Sequence, residues 1–335
     1  MKKFFQNARV VGENVNPDDY HTNDIARGKP NFPASLSMLK NFAACPRRWM
    51  AGYSSLDSES KSWGRLIDCL VTTPKLFESK FAVTPETYPA PKHHAKVKAG
   101  EIPEGHPLKW NSNANECKAW EAANDGKEII LTRERNDAEA ALERLHGDDV
   151  TGIFIAASRK QVHIAAEFEH AGIAVPVKAL LDFVPDARDA RFGQSLGDLK
   201  TVRSASPQNF QRQAFQMGWH AQAAFYLDLY NAATGEDRCD FNFVVQENFP
   251  PFEPAALKLS LEFLDAGRAW YRAALRLYAQ CLARREWPGY GFGERCVLDD
   301  GFALIEPEQW MLSSQGVADF PETHKENKPE EFHTP

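Results

Sequence analysis

Between residues 161 and 202 the chain changes its hydrophobic period, and that change limits the folds open to it more than any other feature. The segments "QVHIAAEFEH", "VPVKALLDFVP" and "SLGDLKTV" are short, rich in β-formers, and separated by Gly or Pro turns. Three such runs in succession predict three consecutive antiparallel strands, because β-branched and aromatic residues suit a pleated, half-buried surface. Side chains alternate across a strand. Asp198 and Lys200, two apart in the third segment, therefore project from one face. Burying a carboxylate and an ammonium together at a strand end costs free energy, so the pair needs a purpose.

On both sides of this region the period is helical. A helix is predicted after Pro33, with Ser35 as N-cap and Leu36, Leu39 and Phe42 on one face, running toward "CPRRW". A second is predicted around "SWGRLIDCLVTT". Residues 84–113 hold five prolines and the basic cluster "KHHAKVK", and read as a long loop. "ANECKAWEAAND" and "NDAEAALERLHGDD" read as surface helices, the second ended by Gly147. After the strands the pattern predicts one long helix over "SPQNFQRQAFQMGWHAQAAFYLDLYNAAT". A strand over "RCDFNFVVQE" and a closing helix over "LKLSLEFLDAGRAWYRAALRLYAQCLARREW" follow. The order implies an α/β fold, a central mixed sheet flanked by helices. Residues 1–32 read as a polar lead-in, 33–305 as the folded domain, and 306–335 as a disordered acidic tail.

A chain of 335 residues, 43% apolar and 25% charged, can bury a large core. No apolar run approaches the ~20 residues of a membrane span, and "MKKFFQNARVVGENVNPDD" lacks the apolar h-region of a secretory signal. The six cysteines are scattered, with no CxxC and no zinc spacing, as expected of reduced thiols in a cytoplasm. A net charge of −7 argues against coating nucleic acid through general basicity, but leaves a local groove open.

Asp182 lies near the end of the second predicted strand and Asp198 on the third. A hairpin of this length can set the two carboxylates side by side, where they repel and one would be protonated. A hard divalent cation removes that conflict, since Mg²⁺ prefers oxygen and takes one or two carboxylates plus substrate phosphate. Lys200 on the same face can orient or deprotonate a water. Two acids and a lysine so spaced suit phosphodiester hydrolysis.

The stretch "LLDFVP…GDLKTV" resembles the core of the PD-(D/E)xK nuclease superfamily, Asp182 in place of its first acid and Asp198 and Lys200 as its (D/E)xK. "SLSMLKNFAACPRRW" resembles the opening helix of RecB-type nucleases. "WGRLIDCLVTTPKLFESKFAV" resembles the G-x-x-x-H segment, and the stretch after it, of the exonuclease VIII (RecE-type) phage branch. "AEFEHAGIAVPVKALLDF" resembles that branch's strand pair, with Glu167 at the upstream acidic position and Glu169 competing for it. "GWHAQAAFYLDLY" resembles its Gln-x-x-x-Tyr helix, Gln222 and Tyr226 one turn apart on one face. The resemblance covers roughly residues 33–293.

The resemblance implies a restriction-endonuclease-like core, with catalytic strands over about 160–202, and a bacterial, cytoplasmic phage or prophage enzyme. It implies Mg²⁺, with Mn²⁺ as a substitute, held by Asp182, Asp198 and the Leu199 carbonyl, with Glu167 or Asp68 completing the site. Lys200 would position the attacking water, with Gln222 and Tyr226 beside it. Arg47, Arg48, Lys178 and Arg203 are the candidate DNA contacts. The implied activity is a 5′ to 3′ exodeoxyribonuclease on duplex DNA ends, working with a single-strand annealing protein and closing into a ring-shaped homo-oligomer.

Two departures stand out. Asp68 occupies the position usually held by His, and an aspartate on an otherwise apolar helix needs compensation. Only Cys281 and Cys296 lie where some relatives carry three cluster cysteines to join the one of "CPRR", so no iron–sulfur cluster is expected. Blander readings compete: Asp198 and Lys200 as a solvated edge pair, Arg47 and Arg48 as a charged helix end, Gln222 and Tyr226 as core-edge residues. The rival functions are a related DNA endonuclease and a catalytically inactive DNA-binding module of the same fold.

Overall fold

The computed structural model describes residues 4–22, 24–53 and 59–290, the side chain of Glu59 excepted. The chain divides into two compact units, 1–288 and 289–335; the second, and with it the predicted tail at 306–335, lies outside the described residues apart from Gly289 and Tyr290.

A six-stranded mixed sheet organises the first unit. Its strands are β1 (Gln6–Gly12), β2 (Ser158–His170), β3 (Ile173–Pro185), β4 (Ser195–Val202), β5 (Asp240–Glu247) and β6 (Pro254–Lys258), adjacent in that order. Neighbours are antiparallel except β4 and β5, which run parallel in register from Ser195↔Asp240 to Val202↔Glu247. A parallel neighbour requires a crossover, and two helices supply it. In chain order the principal helices are α1 (Leu36–Ala44), α2 (Glu59–Thr72) and α3 (Thr132–Gly147), then the crossover pair α4 (Pro207–Gln216) and α5 (Trp219–Thr234), then α6 (Leu261–Arg284).

Each face of the sheet buries its own apolar set. One packs Val162, Ile164, Val177, Leu181, Phe241 and Phe243 against α1, α5 and α6. The other packs Phe183, Leu199 and Val244 against α2, α3 and the short helix Thr151–Ala156. The second face demands a glycine: a Cβ on Gly197 would stand 2.5 Å from the Phe154 ring.

Ser35 caps α1, accepting from the Met38 amide, and Leu36, Leu39 and Phe42 are buried, as their spacing predicts. Four expectations are corrected. Residues 1–32 are not a loose lead-in: β1 pairs with β2, Phe5 and Tyr20 are buried, and the Phe4 ring lies 4.9 Å from that of Phe168. The polar average of the segment hides aromatic anchors that tie it to the core. The loop at 84–113 contains a two-stranded ribbon, Thr87–Pro89 with Pro107–Lys109, joined through a helical turn at Ala95–Lys98. The single long helix is two, because Gly218 takes φ +67° between α4 and α5. The closing helix begins only at Leu261, because residues 254–258 add a sheet-edge strand.

Candidate active site

The site forms where the sheet comes apart. Between β3 and β4 the register is reduced to Phe183↔Gly197. Beyond that pair the strands diverge, and the backbone amide of Leu199 donates to Asp182 Oδ2 at 2.9 Å instead of to the neighbouring strand. A backbone donor taken from water must find an acceptor, and the fork assigns it a carboxylate. Gln161 sits across from Asp182 at a break in the β2 ladder, with φ +48°, and donates through Nε2 to Asp182 Oδ1 at 3.3 Å.

Asp198 is 2% exposed and ion-pairs with Lys200 through Oδ2. Its Oδ1 accepts from Gln222 Nε2 at 2.7 Å. Tyr226, one turn further along α5, shares a hydrogen bond with the Gln222 side chain. Burial pushes the Tyr226 phenol well above its ordinary range, reinforced by the charges of Tyr20, Asp198 and Asp182. The Lys200 ammonium lies 5.6 Å from the centre of the Trp219 ring.

The third carboxylate comes from the opposite face. At Gly64 a Cβ would stand 3.3 Å from Thr201 Oγ1, so α2 lies close against β4 there. Asp68, one turn on, lines a cavity of about 280 Å³ together with Ser60, Lys61, Gly64, Leu199, Lys200 and Thr201. Burial and then the Asp198 charge push the Asp68 carboxyl up to about 6. Asp182 is held well above the carboxylate range by burial, by Asp198 and by Asp68, against the pull of Lys200 and the Leu199 amide. Burial together with neighbouring carboxylate charge produces both shifts.

The fork therefore brings together Asp68, Asp182, Asp198, Leu199, Lys200, Gln222 and Tyr226. It does not bring Glu167. That residue lies opposite Pro176 on the β2–β3 ladder and accepts from Asn7 Nδ2 at 2.5 Å. Pro176 is six residues from Asp182, about 20 Å at the rise of a strand. Glu169, opposite Ala174, is further still. Glu167 and Glu169 are thus corrected as site acids, because strand register and not sequence proximity decides what reaches the fork. Lys178 is corrected as a DNA contact: its ammonium donates to the Tyr20 carbonyl and sits 4.4 Å from the Tyr20 ring centre, bracing the N-terminal segment. Arg47 and Arg48 are exposed on the short helix Pro46–Met50, Arg48 stacked 4.0 Å from the Tyr53 ring centre. Arg203 is exposed three residues beyond Lys200, near the Phe249 ring.

Gln161 and Lys40 escape the sequence reading. Lys40 donates to the Met217 carbonyl at 2.8 Å, and burial followed by the nearby Lys200 charge lowers it to about 8, Asp198 partly offsetting this. The signal for it is present in the sequence: Lys40 stands four residues after Leu36, on the apolar stripe of α1, where a lysine is unusual.

The donor set suits a hard cation. Among the described residues no three His, Cys, Asp or Glu side chains gather at coordinating distance. A cation at the fork would thus take one or two carboxylates and complete its shell with carbonyl, water or phosphate oxygens, the habit of Mg²⁺. Asp198 Oδ2 is buried and meets the Lys200 ammonium without an aligned hydrogen bond, leaving it lone-pair capacity for such an ion.

The profile of a PDDEXK-like domain of unknown function (DUF3799) matches residues 35–298. No curated protein matches. A crystal structure of a Eubacterium rectale protein named "Putative exonuclease" superposes with a TM-score of 0.50, covering 91% of this chain and 100% of that one at 14% identity. At that identity the likeness is one of fold. Among the described residues no helix is long and apolar enough to cross a membrane.

Proposed function

Since the chain belongs to the PDDEXK-like DUF3799 family, we propose that it is a Mg²⁺-dependent exodeoxyribonuclease of the exonuclease VIII type, hydrolysing DNA from duplex ends. The observation that carries this reading is the fork itself: Asp182, Asp198 and Lys200 converge there, and Gln222 holds Asp198. Asp182, Asp198 and the Leu199 carbonyl would hold the cation, with Asp68 at its margin. When bound, the cation supplies Lewis-acid polarisation of the phosphate. Lys200 orients the attacking water, the Leu199 amide fixes the Asp182 carboxylate, and Gln222 fixes that of Asp198. A fixed array of this kind spends no reorganisation energy as charge develops.

The same reading places the chain in phage or prophage recombination, cutting 5′ to 3′, passing a 3′ strand to an annealing protein, and working as a ring. A ring would let an acidic chain line an inner channel with its exposed cations. The test is a linear duplex labelled at either end beside a closed circle, each incubated with Mg²⁺ and with EDTA. Mg²⁺-dependent loss of the 5′ label, the circle intact, is the expected result. A cut circle makes the chain an endonuclease; no cleavage of any substrate makes it a DNA-binding module.

A further inference from the structure

The break between α4 and α5 organises more than a change of helix direction. Met217 closes α4, and its carbonyl, left without a helical partner, accepts from Lys40 Nζ at 2.8 Å. At Gly218 the backbone is left-handed, and a Cβ there would stand 2.9 Å from Lys40 Cδ. Trp219 then starts α5 with its ring beside the Lys200 ammonium, and Gln222 follows to grip Asp198. One three-residue junction thus touches two lysines from different elements, Lys40 of α1 and Lys200 of β4.

A lysine is a poor choice for capping a carbonyl here. Its half-buried ammonium is repelled by Lys200, and the anion that favours its charge, Asp198, already holds Lys200 and Gln222. A neutral donor would cap Met217 without that repulsion. An ammonium has three donors, and Met217 takes one. Its remaining donors can take an anionic oxygen, and a phosphodiester supplies one.

We propose that Lys40 is a substrate-contacting residue, binding a phosphodiester of the DNA strand at the fork as a second cation beside Lys200. This rests on the nuclease reading above.

The test uses the full chain and a linear duplex, with DNA affinity measured against salt concentration in EDTA for wild type, Lys40→Met and Lys40→Arg. Losing one phosphate contact should lower the slope of log affinity against log salt by about 0.9 for duplex, or about 0.7 for a single strand. Lys40→Arg should restore the slope, and in Mg²⁺ Lys40→Met should raise KM more than it lowers kcat. If Lys40→Met does not fold, Lys40→Gln keeps a donor for Met217 and permits the same comparison. An unchanged slope with a lowered melting temperature reduces Lys40 to a helix cap and overturns the proposal, while wild-type cleavage leaves the nuclease reading standing. A wild type that neither binds nor cuts DNA overturns both.

Discussion

The two junctions on either side of β3 are built from the same strand and differ in nearly everything else. Toward β2 the ladder is long, running from Ser158↔Pro185 to His170↔Ile173 with an interruption at Gln161. Toward β4 it is reduced to Phe183↔Gly197. Along the long ladder the backbone groups satisfy one another on either side of Gln161, and Glu167 on it is exposed, its carboxylate accepting from Asn7. At the open junction a backbone amide is left over, and a carboxylate is drawn in to accept from it. The fork thereby gathers the groups that burial alone would disfavour. A sheet can be most stable along one edge of a strand and most reactive along the other.

The largest effect should come from emptying the fork. Asp198→Ala removes a carboxylate that touches Lys200 and Gln222 but belongs to no apolar cluster. Cleavage should fall at least a hundredfold, ~2.7 kcal/mol of transition-state stabilisation, with the melting temperature near that of wild type. Turnover above about a tenth of wild type would refute the placement of the chemistry.

Gln222→Leu tests whether the fork needs its buttress. Removing the donor to a buried carboxylate costs roughly 1–3 kcal/mol, and turnover should drop about tenfold as Asp198 loses its fixed position. A lowered melting temperature with unchanged kcat would make Gln222 a core-edge residue, the blander reading that its sequence pattern also allows.

What the sequence disclosed follows the same division. "SLGDLKTV" predicts β4 with the bounds found, because local alternation decides a strand. The groups within one turn or one strand of each other were also readable: Asp198 with Lys200, Gln222 with Tyr226. Long-range register was not. Glu167 matches an acidic position by order along the chain, yet order carries no information on a ladder that ends elsewhere. The break at Gly218 was hidden because its flanks are apolar and helical on both sides, and only a left-handed φ reveals it. Lys40 depends on that break, and so escaped with it. β1 was lost because two aromatics and three valines or arginines are diluted by their polar surroundings.

Asp68 should report on the fork through pH. Its folded carboxyl is raised to about 6 from an ordinary value of 3.8, so the folded chain binds the proton more tightly than the unfolded one. That contribution is fully present below the unfolded value and is lost as pH rises through about 6. Without divalent metal, the melting temperature should therefore decline between about pH 4 and 6 by roughly a few degrees, Asp182 acting in the same direction. Mg²⁺ at pH 7 should recover the loss. Asp68→Asn should flatten the decline and weaken the Mg²⁺ response. A decline identical in the variant would assign the pH dependence elsewhere and remove Asp68 from the site.

The smallest effect is expected on the closed side of β3, and it is the sharpest check on the comparison. Glu167 faces solvent on the β2–β3 ladder, accepts from Asn7, and stands about 20 Å of strand away from Asp182. It is exposed where Asp198 is buried, and it accepts from Asn7 where Asp198 is gripped by Lys200 and Gln222. In Glu167→Ala the Asn7 amide exchanges its partner for water, which at an exposed site costs well under 1 kcal/mol. Cleavage rate, Mg²⁺ titration and melting temperature should all stay within about twofold, or about a degree, of wild type. Glu167→Ala combined with Glu169→Ala covers both acids that the upstream acidic position allows. If either variant lost activity tenfold while keeping its melting temperature, the complete ladder would share the chemistry, and the contrast between the two junctions would fail.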